Sequence, residues 1–136
     1  MLREHVYLYV EDDPFSRDVM RLIAKTQLKT NRFYMFEDSG CFEERLGALP
    51  EAPDVFLLDI HLKPVDGFAL LRKVRENPTY AGACVVALTA SVMNEEVERL
   101  REAGFDGAIA KPLNLTTFSQ VLRTILEGQA VWHIGE

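Results

Sequence analysis

The 136-residue sequence predicts a three-layer α/β/α fold with a parallel sheet at its centre. Three observations carry that expectation. Short β-branched, aromatic and aliphatic runs alternate with stretches of helical period, in five successive pairs. The runs Val55–Leu58 and Cys84–Leu88 are continuously apolar, as suits central strands buried on both faces. Breakers such as Pro50, Pro53, Asn77-Pro78 and Gly104 fall between the runs rather than inside them.

His5–Val10 is the first expected strand. The first helix follows from Pro14 to about Leu28, with Phe15, Val19, Ile23 and Leu28 as its apolar stripe. Pro14 suits a first helical position, where its missing N–H has no helical partner to lose. Phe33–Phe36 is the second strand, and Cys41–Leu49 a short helix placing Phe42, Leu46 and Leu49 on one side. Val55–Leu58 is the third strand. Asp66 caps a helix over Gly67–Glu76, which Asn77-Pro78 stops. Cys84–Leu88 is the fourth strand, followed by a helix over about Met93–Ala103 that Gly104 closes. Gly107–Ala110 is a short fifth strand, and Leu115–Glu127 a last helix with Leu115, Phe118, Val121, Leu122 and Ile125 inward. The whole chain, 1–136, is expected to be one domain with a core over about 5–127 and a short tail over 128–136.

Composition excludes several classes. With 48% hydrophobic and 26% charged residues the chain is of ordinary globular type. At this length it buries roughly two thirds of the surface its unfolded form exposes. Its longest apolar runs fall far short of the ~20 residues that cross a bilayer, and the start lacks an apolar leader with a cleavage site. No membrane insertion and a cytoplasmic location are therefore expected. Cys41 and Cys84 are too few for a disulfide scaffold and show no zinc spacing with His5, His61 or His133. The formal charge of −6 argues against a grip on nucleic acid and for protein partners.

In a parallel sheet of this kind the binding crevice lies at the carboxyl ends of the strands. The residues after those ends are Glu11, Asp12 and Asp13, then Asp59, Thr89 and Lys111. Gathered carboxylates raise each other's pKa unless a cation sits among them. Mg²⁺ takes oxygen ligands, commonly one or two carboxylates plus phosphate oxygens, and matches this set better than zinc does. Beside such an ion Asp59 is a plausible nucleophile toward a phosphoryl donor. The Lys111 ammonium and the Thr89 hydroxyl can then serve the phosphoryl oxygens. The bland reading of each fragment is a helix cap or a satisfied loop residue, and for Asp13 and Asp66 capping is that reading. The conjunction, in chain order, is what points to chemistry.

The succession VEDD, DIHLKPVDG, ALTAS and AKPL over Val10–Leu113 closely resembles the receiver domain of two-component response regulators. That resemblance implies a flavodoxin-like (βα)5 sandwich with strand order 2-1-3-4-5. It makes Asp59 the phosphoacceptor, Asp12 a direct ligand of Mg²⁺ or Mn²⁺, and Glu11 its water-mediated partner. It further implies that the backbone carbonyl of His61 completes the metal site, that Thr89 and Lys111 contact the phosphoryl group, and that Lys111-Pro112 is cis. A histidine kinase or histidine phosphotransfer protein would be the donor and another protein the target, with no enzymatic activity beyond self-phosphorylation and autodephosphorylation. The family pattern leaves room for a homodimer through the fourth helix, fifth strand and fifth helix.

His61 and Ser91, each two residues beyond a site residue, are expected to flank the mouth and set the phosphoryl lifetime. Two departures stand out. Many family members carry an aromatic three residues before the Lys, where this chain has Ala108, so activation is expected to travel by another route or weakly. The proline after Asp59 is displaced to Pro64. With no output segment read after the last helix, a stand-alone phosphorelay receiver is expected. Its rivals are an unphosphorylated scaffold and a metal-dependent phosphohydrolase.

Overall fold

A computed structural model describes residues 2–90 and 93–132. Five strands form one parallel sheet: β1 Tyr7–Val10, β2 Phe33–Phe36, β3 Val55–Asp59, β4 Cys84–Thr89 and β5 Gly107–Ala110, in spatial order 2-1-3-4-5. The intervening helices are α1 Pro14–Ile23, α2 Phe42–Gly47, α3 Gly67–Glu76, α4 Asn94–Ala103 and α5 Phe118–Leu126. The fold class and strand order are as the sequence predicts.

Alternate strand residues feed two cores. Leu8, Val10, Phe56, Leu58, Val85, Ala87 and Ala108 pack with Phe42, Leu46, Leu70 and Leu100 from α2, α3 and α4. Tyr7, Tyr9, Val55, Leu57, Val86, Leu88 and Ile109 pack with Met20, Ile23, Phe118, Leu122 and Ile125 from α1 and α5. The period of two along each strand thus becomes a helix layer on each face.

Three details depart from expectation. Past Ile23 the first helix widens into a π-helical turn, Ala24–Leu28, ended by Lys29 in the left-handed region. The wider turn brings Leu28, five residues after Ile23, back onto the buried face, where it is 1% exposed. Phe15, expected in that helix's apolar stripe, is 70% exposed. The first turn of α1 stands beyond the end of β1, so the stripe has no sheet beneath it there. Leu115 is likewise exposed rather than inward. Asn114 accounts for this by holding a turn: its side-chain oxygen accepts from Thr116 N–H at 2.7 Å and its carbonyl from Phe118 N–H at 3.0 Å, so α5 starts at Phe118.

Among the described residues no helix is long and apolar enough to cross a membrane. The packing also reaches past the expected core limits, since Leu2 is buried and Val131 and Trp132 lie against the two cores.

Candidate functional site

Strand register assembles the site. Val10 pairs with Leu58, so Glu11, one step past β1, comes level with Asp59 at the end of β3. Asp59 pairs with Leu88, which puts Thr89 one step beyond, and Thr89 pairs with Ala110, which puts Lys111 one step beyond again. Backbone hydrogen bonds lock the stagger: Ile60 N–H donates to Leu88 C=O at 3.1 Å and Lys111 N–H to Thr89 C=O at 2.9 Å.

Glu11, Asp12 and Asp59 each offer a carboxylate oxygen, and these oxygens lie within 4.8 Å of one another. Glu11 and Asp59 are buried and Asp12 is exposed. Lys111 reaches into the group, its Nζ 2.9 Å from Glu11 Oε1 and 3.4 Å from Asp59 Oδ2. Thr89 is fully buried at the end of β4. Five of the six residues read from the sequence, Glu11, Asp12, Asp59, Thr89 and Lys111, are therefore brought together at one sheet edge, with His61 exposed at the rim and its N–H 3.2 Å from Asp59 Oδ1. Ser91, the other expected rim residue, lies outside the described residues. The Lys111-Pro112 peptide is cis, as expected, and so is Lys63-Pro64.

The electrostatics are those of crowded anions. Burial, and then the hydrogen bond with Asp59, push the Glu11 carboxyl up to about 7, against the opposing pull of Lys111. Burial alone would depress the Lys111 ammonium, but Glu11 and Asp59 outweigh it and raise its pKa. Asp13 stands apart. It caps α1, accepting from Ser16 N–H at 2.9 Å and from the Ser16 hydroxyl at 2.7 Å, which holds its carboxyl below the usual range. An all-oxygen donor set with one oxygen group in solvent and two desolvated suits a hard divalent cation that keeps part of its water.

Other residues that support the site were not singled out from the sequence. The Tyr9 hydroxyl donates to Glu11 Oε1 at 3.1 Å and Asp13 N–H to Glu11 Oε2 at 3.1 Å, so both Glu11 oxygens are held. Arg17 Nη1 donates to the Glu11 carbonyl at 3.1 Å from the next turn of α1. Buried Ser39 accepts Val65 N–H at 2.8 Å and ties down the loop that follows Asp59. Tyr9 carried a signal, lying two residues before Glu11 on the same side of a buried strand. Ser39 carried none, because its partner is 26 residues away.

The comparisons point the same way. The family model described as the response regulator receiver domain matches residues 7–123. An uncharacterized 14.6 kDa protein in the sodA1 3′ region of Leptolyngbya boryana is 30% identical over an alignment of 115 positions that covers 79% of each chain. The polar-differentiation response regulator DivK of Brucella ovis is 30% identical over 74 residues, covering 54% of this chain and 60% of that one. The signal receiver domain of a DNA-binding response regulator from Colwellia psychrerythraea superposes with a TM-score of 0.73 at 23% identity, over 89% of this chain and 97% of that chain.

Proposed function

The chain belongs to the response regulator receiver domain family, a phosphoacceptor signalling family, and from that premise we propose that Asp59 is its phosphoacceptor and that Glu11 and Asp12 hold the divalent cation the transfer needs. The observation that carries this reading is the convergence of three carboxylates and one ammonium at the carboxyl edge of the sheet. Mg²⁺ or Mn²⁺, held by Glu11, Asp12, Asp59 and the His61 carbonyl, would neutralise phosphoryl oxygens that three carboxylates would otherwise repel.

The chain's own residues do the rest. An Asp59 carboxylate oxygen attacks phosphorus, and a P–O bond forms as the P–N bond to the donor histidine breaks. The histidine keeps the electron pair and takes up a proton. Lys111 leaves its ion pair with Glu11 to meet the charge that spreads over the transferred group. The Thr89 hydroxyl donates to a second phosphoryl oxygen. Tyr9 and Arg17 are positioning residues, because they fix Glu11 rather than touch the phosphoryl group.

The donor is a protein, a histidine kinase or phosphotransfer protein, and the signal passes to a further protein. Large apolar side chains exposed around the carboxyl edge, Phe15, Met93 and Leu115, support that choice, since they offer contact area to a macromolecule that a small ester would not use. This reading puts the chain in the cytoplasm and makes it a relay rather than a turnover enzyme, with the lifetime of the acyl phosphate tuned in part by His61.

The test is incubation with Mg²⁺ and a small acyl-phosphate donor, followed by intact-mass analysis. An adduct of about 80 Da, one phosphoryl group, is expected in the native chain and absent from Asp59→Asn. No adduct marks an unphosphorylated scaffold, and sustained turnover of unrelated phosphate esters marks a hydrolase.

A further inference from the structure

β5 is an edge strand of the sheet, and its free side is not left to solvent. After α5 the chain turns at Gly128, whose N–H donates to Ile125 C=O at 3.0 Å, and runs back along β5. There Ala108 N–H donates to Val131 C=O at 2.8 Å. Val131 packs against the core on the α1/α5 side and Trp132 against the core on the other side, the alternation an extended segment laid on a sheet edge must show.

Two sequence features make room for this contact. Gly107 lets the segment come close, because a Cβ there would lie 2.6 Å from Ile125 Cδ1 and 3.0 Å from Val131 O. Ala108, fully buried on the Trp132 side, carries only a methyl group. Across the seat from α4, the Arg101 guanidinium carbon lies 5.4 Å from the Trp132 ring centroid, within reach of a cation–π attraction.

We infer that the outer edge of β5 together with α4 is a binding surface for an extended segment carrying a large aromatic residue, and that this chain fills it in cis with Val131–Trp132. The chemistry is strand addition: a backbone bond supplies adhesion and a side-chain seat supplies selectivity. A bare edge strand is a template for pairing with other chains, and the chain's own segment blocks it. Four residues separate the end of α5 from Val131, so the tethered segment competes at an effective concentration on the order of millimolar. A partner that docks on this face must displace Trp132.

The inference does not depend on which residue is phosphorylated, and its test uses the unphosphorylated 136-residue chain. Trp132 is the sole tryptophan, so its emission reports the seat directly. In the native chain acrylamide is expected to quench it several-fold less than a free tryptophan amide. A fluorescein-labelled peptide of the sequence 129–136 is then titrated against native chain and Trp132→Ala, with anisotropy as the readout and the thermal melt of each confirming the fold. Saturable binding to Trp132→Ala, at least tenfold tighter than to the native chain, is expected. Quenching equal to that of the free amide, no saturable binding to Trp132→Ala up to millimolar peptide, or equal binding to both chains overturns the inference.

Discussion

Lys111 lies closer to Glu11 than to Asp59: its Nζ is 2.9 Å from Glu11 Oε1 and 3.4 Å from Asp59 Oδ2. Lys111 is therefore part of the resting charge balance, and any cation bound by Glu11 competes with it. Lys111→Met removes the competitor and leaves two buried carboxylates uncompensated. Magnesium affinity, read by calorimetric titration, is expected to tighten several-fold, while adduct formation from an acyl phosphate slows tenfold or more. Without metal the variant should lose about 2 kcal/mol in urea unfolding, less than the 3–5 typical of a fully dry pair because Lys111 retains some solvent contact.

Glu11 gives the metal-free protein an unusual pH dependence. Its folded pKa, about 7, is above its ordinary value of 4.5. Between those two values the folded state binds more protons at this group than the unfolded chain does, so the stability Glu11 contributes is fully present below about 4.5 and is lost as pH rises through about 7. The loss is on the order of 2 kcal/mol. Urea midpoints in chelator at pH 5 and pH 7.5 measure it. Glu11→Gln should flatten the slope, and saturating Mg²⁺ should offset the loss at the higher pH. A slope of opposite sign in chelator, unchanged by Glu11→Gln, would show that other groups govern the titration.

The two thiols should react very differently. Cys41 is exposed, whereas burial, and then the charge of Asp106, push the Cys84 thiol up to about 12. At pH 8 roughly one Cys84 in ten thousand is then a thiolate, the nucleophilic form. Iodoacetamide is expected to add once, at Cys41, with a second addition at least a hundredfold slower. Cys41→Ser should abolish the fast phase seen by mass spectrometry.

Much of this architecture is legible without coordinates because punctuation and pattern agree. Phe33–Phe36, Gly67–Glu76 and Gly107–Ala110 are read to the residue, since turn or cap residues close them at both ends. The convergence of Glu11, Asp12, Asp59, Thr89 and Lys111 follows from the parallel sheet alone, which turns chain order into spatial neighbourhood at one edge. What periodicity could not convey is where a helix outruns its sheet, as at Phe15, or where a turn delays its start, as at Leu115, so both read as core although both are exposed. Contacts between distant loops, such as Ser39 with Val65, have no local pattern at all. The return of Val131 to Ala108 is equally hard to read, because the small residues Gly107 and Ala108 leave room at the sheet edge without indicating which segment fills it.

The start of α3 offers the sharpest mechanical test of how the scaffold holds the reactive carboxylate. A Cβ on Gly67 would lie 2.6 Å from the Asp59 carbonyl oxygen and 2.9 Å from Ile60 Cα, both main-chain atoms at the end of β3. Neither can move as a flexible side chain would, so Gly67→Ala must push the helix and the strand end apart. A cost of about 2–3 kcal/mol is expected from overpacking of this kind. Because the displaced backbone carries Asp59, acyl-phosphate adduct formation should slow as well. Gly47, the last residue of α2, is the control: nothing lies within 4 Å of a Cβ there, and Gly47→Ala should be neutral or stabilising by up to about 1 kcal/mol. Equal thermal melts for the two variants would mean that α3 does not press on β3, and the site would then owe its geometry to the loops alone.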